Sequence, residues 1–598
     1  MQLAVSTSPS HTMLRRRKNV WYSVKDGNWE DPNTWVSNAL DKKLVTVPQP
    51  SDDVYINHIV SFDGPVSTNT VINNLFISGK LTAANNFQTL TVSGNLQATG
   101  YIDFTGSSIT LNLYGVFNSI AYTNFTAGNS TINFGALYND QLILNLPYKN
   151  LSTTGGAGTK YMISDLIVTG TFFTQSHFEC GPYNLTVNGT SQIGVAGQPY
   201  KFTKSSSTGL ILFVGSVDFE GITDLTGGNP NVECRGGMTI HTFNLTTGSG
   251  TWTFSSNNQA ISCSAYLGGV WNANIVISGA ITLTLAGGYI MQVNGTINGT
   301  GSGSTFNNEG ILYLGNSTPP MSTGVFNYNH LSTSTIGYVF NGSATLPQSS
   351  YANLVIGGTG IKTQSANTTI AKTFVNNGTY ECGGFDLSVT GTFTNNGNFT
   401  ASSFCTITLN GSALFGSPFG AVGLDLRTGN PNVEFKSGLD IHSAATYTGT
   451  GTFKFSTNNQ SLSFSAYNTG ICAANFLISG AITVTFFSGG TIPDFSGTLN
   501  GDNPLSVFDN RGIFAYTNAT SPMTTGKLYC NQAVNTFNYN LANGQDITVP
   551  SDPTPGYNNL TISGSGAKRL LGNVSVKGIY TVTPPATLNS NGFSLTNP

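Results

Sequence analysis

Apolar and polar residues alternate in short words along most of the chain, and each word closes on glycine. The form is apolar-x-apolar-x-Gly: LFISG at 75–79, LTVSG at 90–94, LIVTG at 166–170, LTVNG at 185–189, IVISG at 275–279, LVIGG at 354–358, LSVTG at 387–391, FLISG at 476–480, LTISG at 560–564 and VSVKG at 574–578. A period of two, carried by Val, Ile and Thr and stopped by Gly, predicts short strands that run into turns. Neighbouring words stand 14, 15 or 19 residues apart. That spacing predicts about one rung of a β-solenoid per word, each rung burying its apolar face against the last. An array of β-sandwiches is the competing arrangement. No amphipathic helix is predicted, because the strong helix formers are sparse beyond the first hundred residues.

A longer period lies over the short one. GNPNVE occurs at 228–233 and again at 429–434, and the residues that follow keep the same offset of 201: Glu233 answers Glu434, His241 answers His442, Gln259 answers Gln460 and Tyr266 answers Tyr467. NNEGILYL at 307–314 answers DNRGIFAY at 509–516, and ECGPYNLTV from Glu179 answers ECGGFDLSV from Glu381, both at 202. A tyrosine followed by x-Asn-Leu marks three joints, at Tyr148, Tyr351 and Tyr557. Periodicity therefore sets the expected organisation: a flexible basic arm over 1–18, a cap over 19–66, a first solenoid segment over 67–147, repeat units over 148–350 and 351–556, and a truncated third unit over 557–598. The fold class expected is all-β, a β-helix-like solenoid of about 200-residue internal repeats with a small β-rich N-terminal cap.

Composition narrows the function classes. Asp, Glu, Lys and Arg are 8% of the 598 residues and the net charge is −3, so no basic surface is available for electrostatic binding of nucleic acid. With 37 Phe and 24 Tyr the chain has ample apolar surface to bury and does not read as disordered. No run approaches 18 consecutive apolar residues, so no membrane span is expected. Seven cysteines without a CxxC read as small core residues of a chain folded in a reducing cytoplasm. The opening MQLAVSTSPSHTMLRRRKNVW lacks the basic-then-apolar order of a signal peptide. A neutral solenoid suited to the outside, yet made in the cytoplasm, fits a virus particle released by lysis.

Residues 19–64 differ from the rest and hold three of the five tryptophans. The order Gly27, Trp29, Asp31, Pro32, Trp35, then Pro48, Asp52, Asp53, Ile56 and Asp63, resembles the start of G8-like domains, with VSNALDKKLVTV as an insertion between the second Trp and the Pro. The resemblance covers about 45 residues and implies a β-rich module at the head of a solenoid in an extracellular or phage protein. The Tyr-x-Asn-Leu joints are similar in style to long repetitive proteins of Bacteroidetes and their phages.

Candidate chemistry is thin. Trp21, Trp29 and Trp35 with Asp31 are candidates for sugar contact, or for the core and cap of a first rung. Arg15, Arg16, Arg17 and Lys18 form the only charge run and are a candidate docking arm, or a solvated tail. Glu233 with Glu434 and His241 with His442 are duplicated, whereas a catalytic pair is expected once per chain; they read as turn ligands and structural histidines. Two such ligands without Cys or a second His make a weak metal signal, so no metal, no cofactor and no catalytic residue is expected. No GxSxG, P-loop, HExxH or Rossmann fingerprint is present.

The expectation is thus a structural and adhesive virion protein, a phage tail fibre or tail spike, with other tail proteins and a host surface glycan or protein receptor as partners. A bacterial cell-surface adhesin and a spike-type polysaccharide depolymerase are the alternatives. Because 557–598 opens a third unit without completing it, uncovered rung edges are expected to be sealed by other chains, most simply in a homotrimer.

Overall fold

The computed structural model describes residues 19–38, 46–62, 69–84, 88–118, 120–241, 245–263, 270–416, 423–442, 445–464, 472–552 and 556–597. Among the described residues 47% are in strands and 1% in helix, and these strands wind into a β-solenoid of about 24 turns. The chain divides into two compact units, Met1–Leu283 and Thr284–Pro598.

Three short strands make one turn. In the first unit Leu75–Ile77, Lys80–Ala83 and Thr89–Val92 lie on successive faces. The chain then returns, and Leu96 stands beside Leu75, Tyr101 beside Lys80 and Thr110 beside Thr89, all in parallel register 21 residues on. Alternation sends every second side chain inward. In Thr89–Val92 the inward pair Leu90 and Val92 are buried, each contributing roughly 1.5–3 kcal/mol. The outward residues meet their equivalents one turn away: Asn133 Nδ2 donates to Asn112 Oδ1 at 3.0 Å, and Thr154 Oγ1 donates to Asn133 Oδ1 at 3.0 Å.

The second unit is built the same way. Asn353–Ile356 stacks on Thr335–Tyr338, Ile361–Gln364 on Ala344–Leu346, and Thr368–Ile370 on Ser350–Tyr351. Its core is aromatic: Phe374, Phe393 and Phe415 pack in file with centroids 5.3 and 4.9 Å apart. The joint tyrosines Tyr148, Tyr351 and Tyr557 are all core residues with no exposed surface.

The rung length differs from the 14 or 15 residues that some word spacings predict. LFISG at 75 and LTVSG at 90 lie on two faces of the same turn, whereas LIVTG at 166 and LTVNG at 185, 19 apart, stack directly. Each face of a turn needs its own alternating word, so within-turn and between-turn spacings are mixed in the sequence. No helix among the described residues is long and apolar enough to cross a membrane.

Candidate functional site

The three N-terminal tryptophans are core. Trp21, Trp29 and Trp35 expose 6%, 1% and 6% of their surface. Trp29 stacks on Phe62 at 4.6 Å and meets Trp35 edge-on at 5.0 Å. Two of the indole N–H groups are satisfied: Trp21 Nε1 donates to Asp52 Oδ2 at 2.8 Å and Trp35 Nε1 to the Trp29 carbonyl at 2.9 Å. Asp31 caps the short 3-10 turn Pro32–Thr34, accepting from the Asn33 backbone N–H at 2.9 Å, and that bond holds its carboxyl below the usual range. Trp35–Ser37 then runs antiparallel beside Val20–Ser23 and covers the outer edge of that sheet. The tryptophans spend their faces on one another and on the first turns. Arg15, Arg16, Arg17 and Lys18, like Asp63, lie outside the described residues.

The duplicated acids sort differently from expectation. Glu233 and Glu434 sit in strands, not turns; Glu233 accepts from Arg235 Nε at 2.7 Å and Ser255 Oγ at 2.6 Å, and Glu434 from Ser456 Oγ at 2.8 Å with Lys454 at 3.1 Å. The turn ligands are Glu179 and Glu381. Glu179 Oε1 accepts from the Gly181 and Ser205 backbone N–H groups at 2.7 and 2.8 Å, and Glu381 Oε1 from those of Gly383 and Ser402 at 2.8 and 2.6 Å. His241 lies 3.5 Å from Asp218 and His442 lies 2.8 Å from Asp440. No cluster of three metal-ligating side chains occurs among the described residues.

What the outer surface does offer is an aromatic ladder near the start of the first unit. Tyr22, Tyr55 and Phe76 are the outward residues of three successive parallel strands, Val20–Ser23, Asp53–Ile56 and Leu75–Ile77, in direct register. Their rings stack at 5.0 and 4.4 Å with interplanar angles of 23° and 12°, close to the roughly 4.7–4.9 Å separation of hydrogen-bonded strands. Gln97 continues the file on the next strand. A shallow cavity of about 250 Å³ lies over Tyr55, Phe76 and Gln97, with Asn57, Ser78 and Thr99 along its side. Ser78 Oγ donates to Asn57 Oδ1 at 2.8 Å, which fixes the polar rim. Flat apolar edges beside fixed amides and hydroxyls suit a ligand that is itself half apolar and half hydroxylated. The signal in the sequence is an aromatic residue at the outward position of VYI (54–56) and LFI (75–77), where alternation calls for a polar one.

The class these features define is a charge-poor parallel β-solenoid with an outward aromatic ladder. No protein-family model matches the chain, and neither a curated protein nor a solved structure is similar to it.

Proposed function

We propose that the chain is a structural and adhesive component of a virus particle, a phage tail fibre or tail spike that contacts the host cell surface. The observation that carries this reading is the Tyr22–Tyr55–Phe76 ladder with its rim of Asn57, Ser78, Gln97 and Thr99, set on a charge-poor solenoid rich in Ser, Thr and Asn. Such a surface meets glycan hydroxyls through hydrogen bonds and sugar C–H faces through aromatic contact, with little dependence on charge. The seven cysteines are buried free thiols, in keeping with assembly in the host cytoplasm before the particle is released.

Other virion tail proteins and a host glycan or protein receptor are the partners in this account, with a homotrimer as the assembly. Leu571, Ile579 and Phe593 expose 42%, 69% and 39% of their surface within a short stretch, apolar area that a neighbouring chain would cover. Adsorption of the labelled, purified chain to a panel of Bacteroidetes cells tests the function. Saturable binding is expected; release of reducing sugar from the host capsule would instead make the protein a depolymerase.

A further inference from the structure

The two copies of the GNPNVE region differ at several positions, and two of the differences lie at a pocket. In the first unit Asp224 Oδ1 accepts from Thr226 Oγ1 at 2.7 Å and Thr246 Oγ1 at 3.3 Å. At the matching positions of the second unit, 201 residues on, the aspartate is kept as Asp425 while the two threonines are Arg427 and Tyr447. The asparagine turn beside them is kept. Asn229 and Asn430 both hold left-handed backbone, φ +48° and +46°, and their side-chain carbonyls accept from Ser249 N at 2.7 Å and Thr450 N at 2.6 Å.

In the second unit Arg427 donates from Nε to Asp425 Oδ1 at 3.0 Å and from Nη2 to Oδ2 at 2.7 Å. Its guanidinium carbon lies 3.9 Å from the Tyr447 ring centre. A guanidinium has five N–H donors in a fixed fork; bonds from Nε and Nη2 go to Asp425, and neither uses the donors on Nη1. A cavity of about 370 Å³ is bounded by Arg427, Asn430, Tyr447, Gly449, Thr450 and Ala473.

We propose that this pocket binds a carboxylated sugar of a surface polysaccharide, its carboxylate on the Nη1 edge of Arg427 and its hydroxyls against Asn430 and Thr450. A planar carboxylate matches the fork of a guanidinium. Asp425 already balances one positive charge, so a singly charged group suits the site better than a phosphate. The proposal rests on reading the protein as a glycan-contacting one, and names the glycan class for a second contact point.

Isothermal titration of the full chain with oligogalacturonate, with a neutral glucan oligosaccharide and with a sugar phosphate tests it. Oligogalacturonate is expected to bind, more weakly as salt is raised. Arg427→Thr and Tyr447→Thr should each weaken it by about tenfold, and Arg427→Lys should not restore it, since a lysine has no fork. Both threonine variants install residues that the same fold already holds at Thr226 and Thr246, so loss of binding is not loss of folding. Equal binding of the neutral glucan, tighter binding of the sugar phosphate, no binding of oligogalacturonate, or full binding by Arg427→Thr each overturns the proposal. Cell adsorption carried by the Tyr22–Tyr55–Phe76 ladder is a separate readout: if it persists while the uronate result fails, only the pocket assignment falls.

Discussion

Glu233 and Glu381 are both partly exposed carboxylates, yet their contacts set different weights. Glu381 ties two loop N–H groups and the Thr400 hydroxyl, while Glu233 accepts from two side chains, Arg235 two residues on and Ser255 on the next turn. Burial opposes ionisation of Glu381, but hydrogen bonds from Thr400, Gly383 and Ser402 outweigh it and hold the carboxyl below the ordinary 4.5; Glu179 is held down in the same way. Burial also pushes Asp103 up, and Lys80 at 2.8 Å with Thr105 brings it down to about 2. A depressed carboxyl contributes stability that is complete above its unfolded value and is lost as pH falls through its folded one. The urea midpoint is therefore expected to fall as pH is lowered from about 5 towards 2. Glu381→Gln should cost about 1–3 kcal/mol near neutral pH and remove part of that acid response, while Glu233→Gln should cost about 1 kcal/mol at most. A midpoint that stays flat with acid, or equal effects of the two variants, would contradict this. The duplication made both pairs visible in the sequence; which acid reaches a backbone N–H depends on the path of the next turn, which no local pattern encodes.

At the scale of the strand and its loop, the least legible feature is the inward lysine. Lys160, Lys362 and Lys568 each follow a joint tyrosine and a glycine-rich run, and none exposes any surface. Lys362 Nζ donates to the carbonyls of Phe340, Gly342 and Thr359 at 3.1, 2.8 and 3.1 Å. Gly358 and Gly360, at φ +67° and +82°, flank Thr359 in a conformation that side chains resist. Lys568 Nζ donates likewise to the carbonyls of Asn543 and Ser565 at 2.8 Å, and burial lowers Lys160 to about 8. A lysine at an inward position reads in the sequence as a break in the alternation, because the carbonyls that receive it come partly from the turn below and partly from the glycine-rich run just before it. Removing the ammonium leaves those carbonyls without that donor, so Lys362→Met should lose about 1–3 kcal/mol. The exposed Lys372→Met should stay within about 0.5 kcal/mol. Equal urea midpoints for the two variants would show that the buried ammonium contributes nothing. The strands themselves were legible, since alternation and glycine stops match the inward and outward positions closely; rung length was not, because one turn carries several words.

For the whole molecule, function is legible only where the repeat is broken. Amides and hydroxyls recur along the turns and single apolar side chains such as Tyr101, Ile167 and Phe404 are exposed among them; the departures that come together are Tyr22, Tyr55 and Phe76 on the first sheet, and Arg427 with Tyr447 where the other copy has threonines. The tryptophans drew attention by their rarity, and the fold uses them as core. Assembly belongs to this scale too. Light scattering on the purified chain is expected to give three times 62.9 kDa, and a stable species of that single mass at micromolar concentration would refute the trimer. The central claim is that the outward ladder contacts the host surface, and adsorption to cells tests it most directly. The chain carrying Tyr22→Ser, Tyr55→Ser and Phe76→Ser, with its fold verified by an unchanged far-ultraviolet spectrum, should bind roughly tenfold more weakly than the native chain; binding by the triple variant equal to that of the native chain would contradict the account.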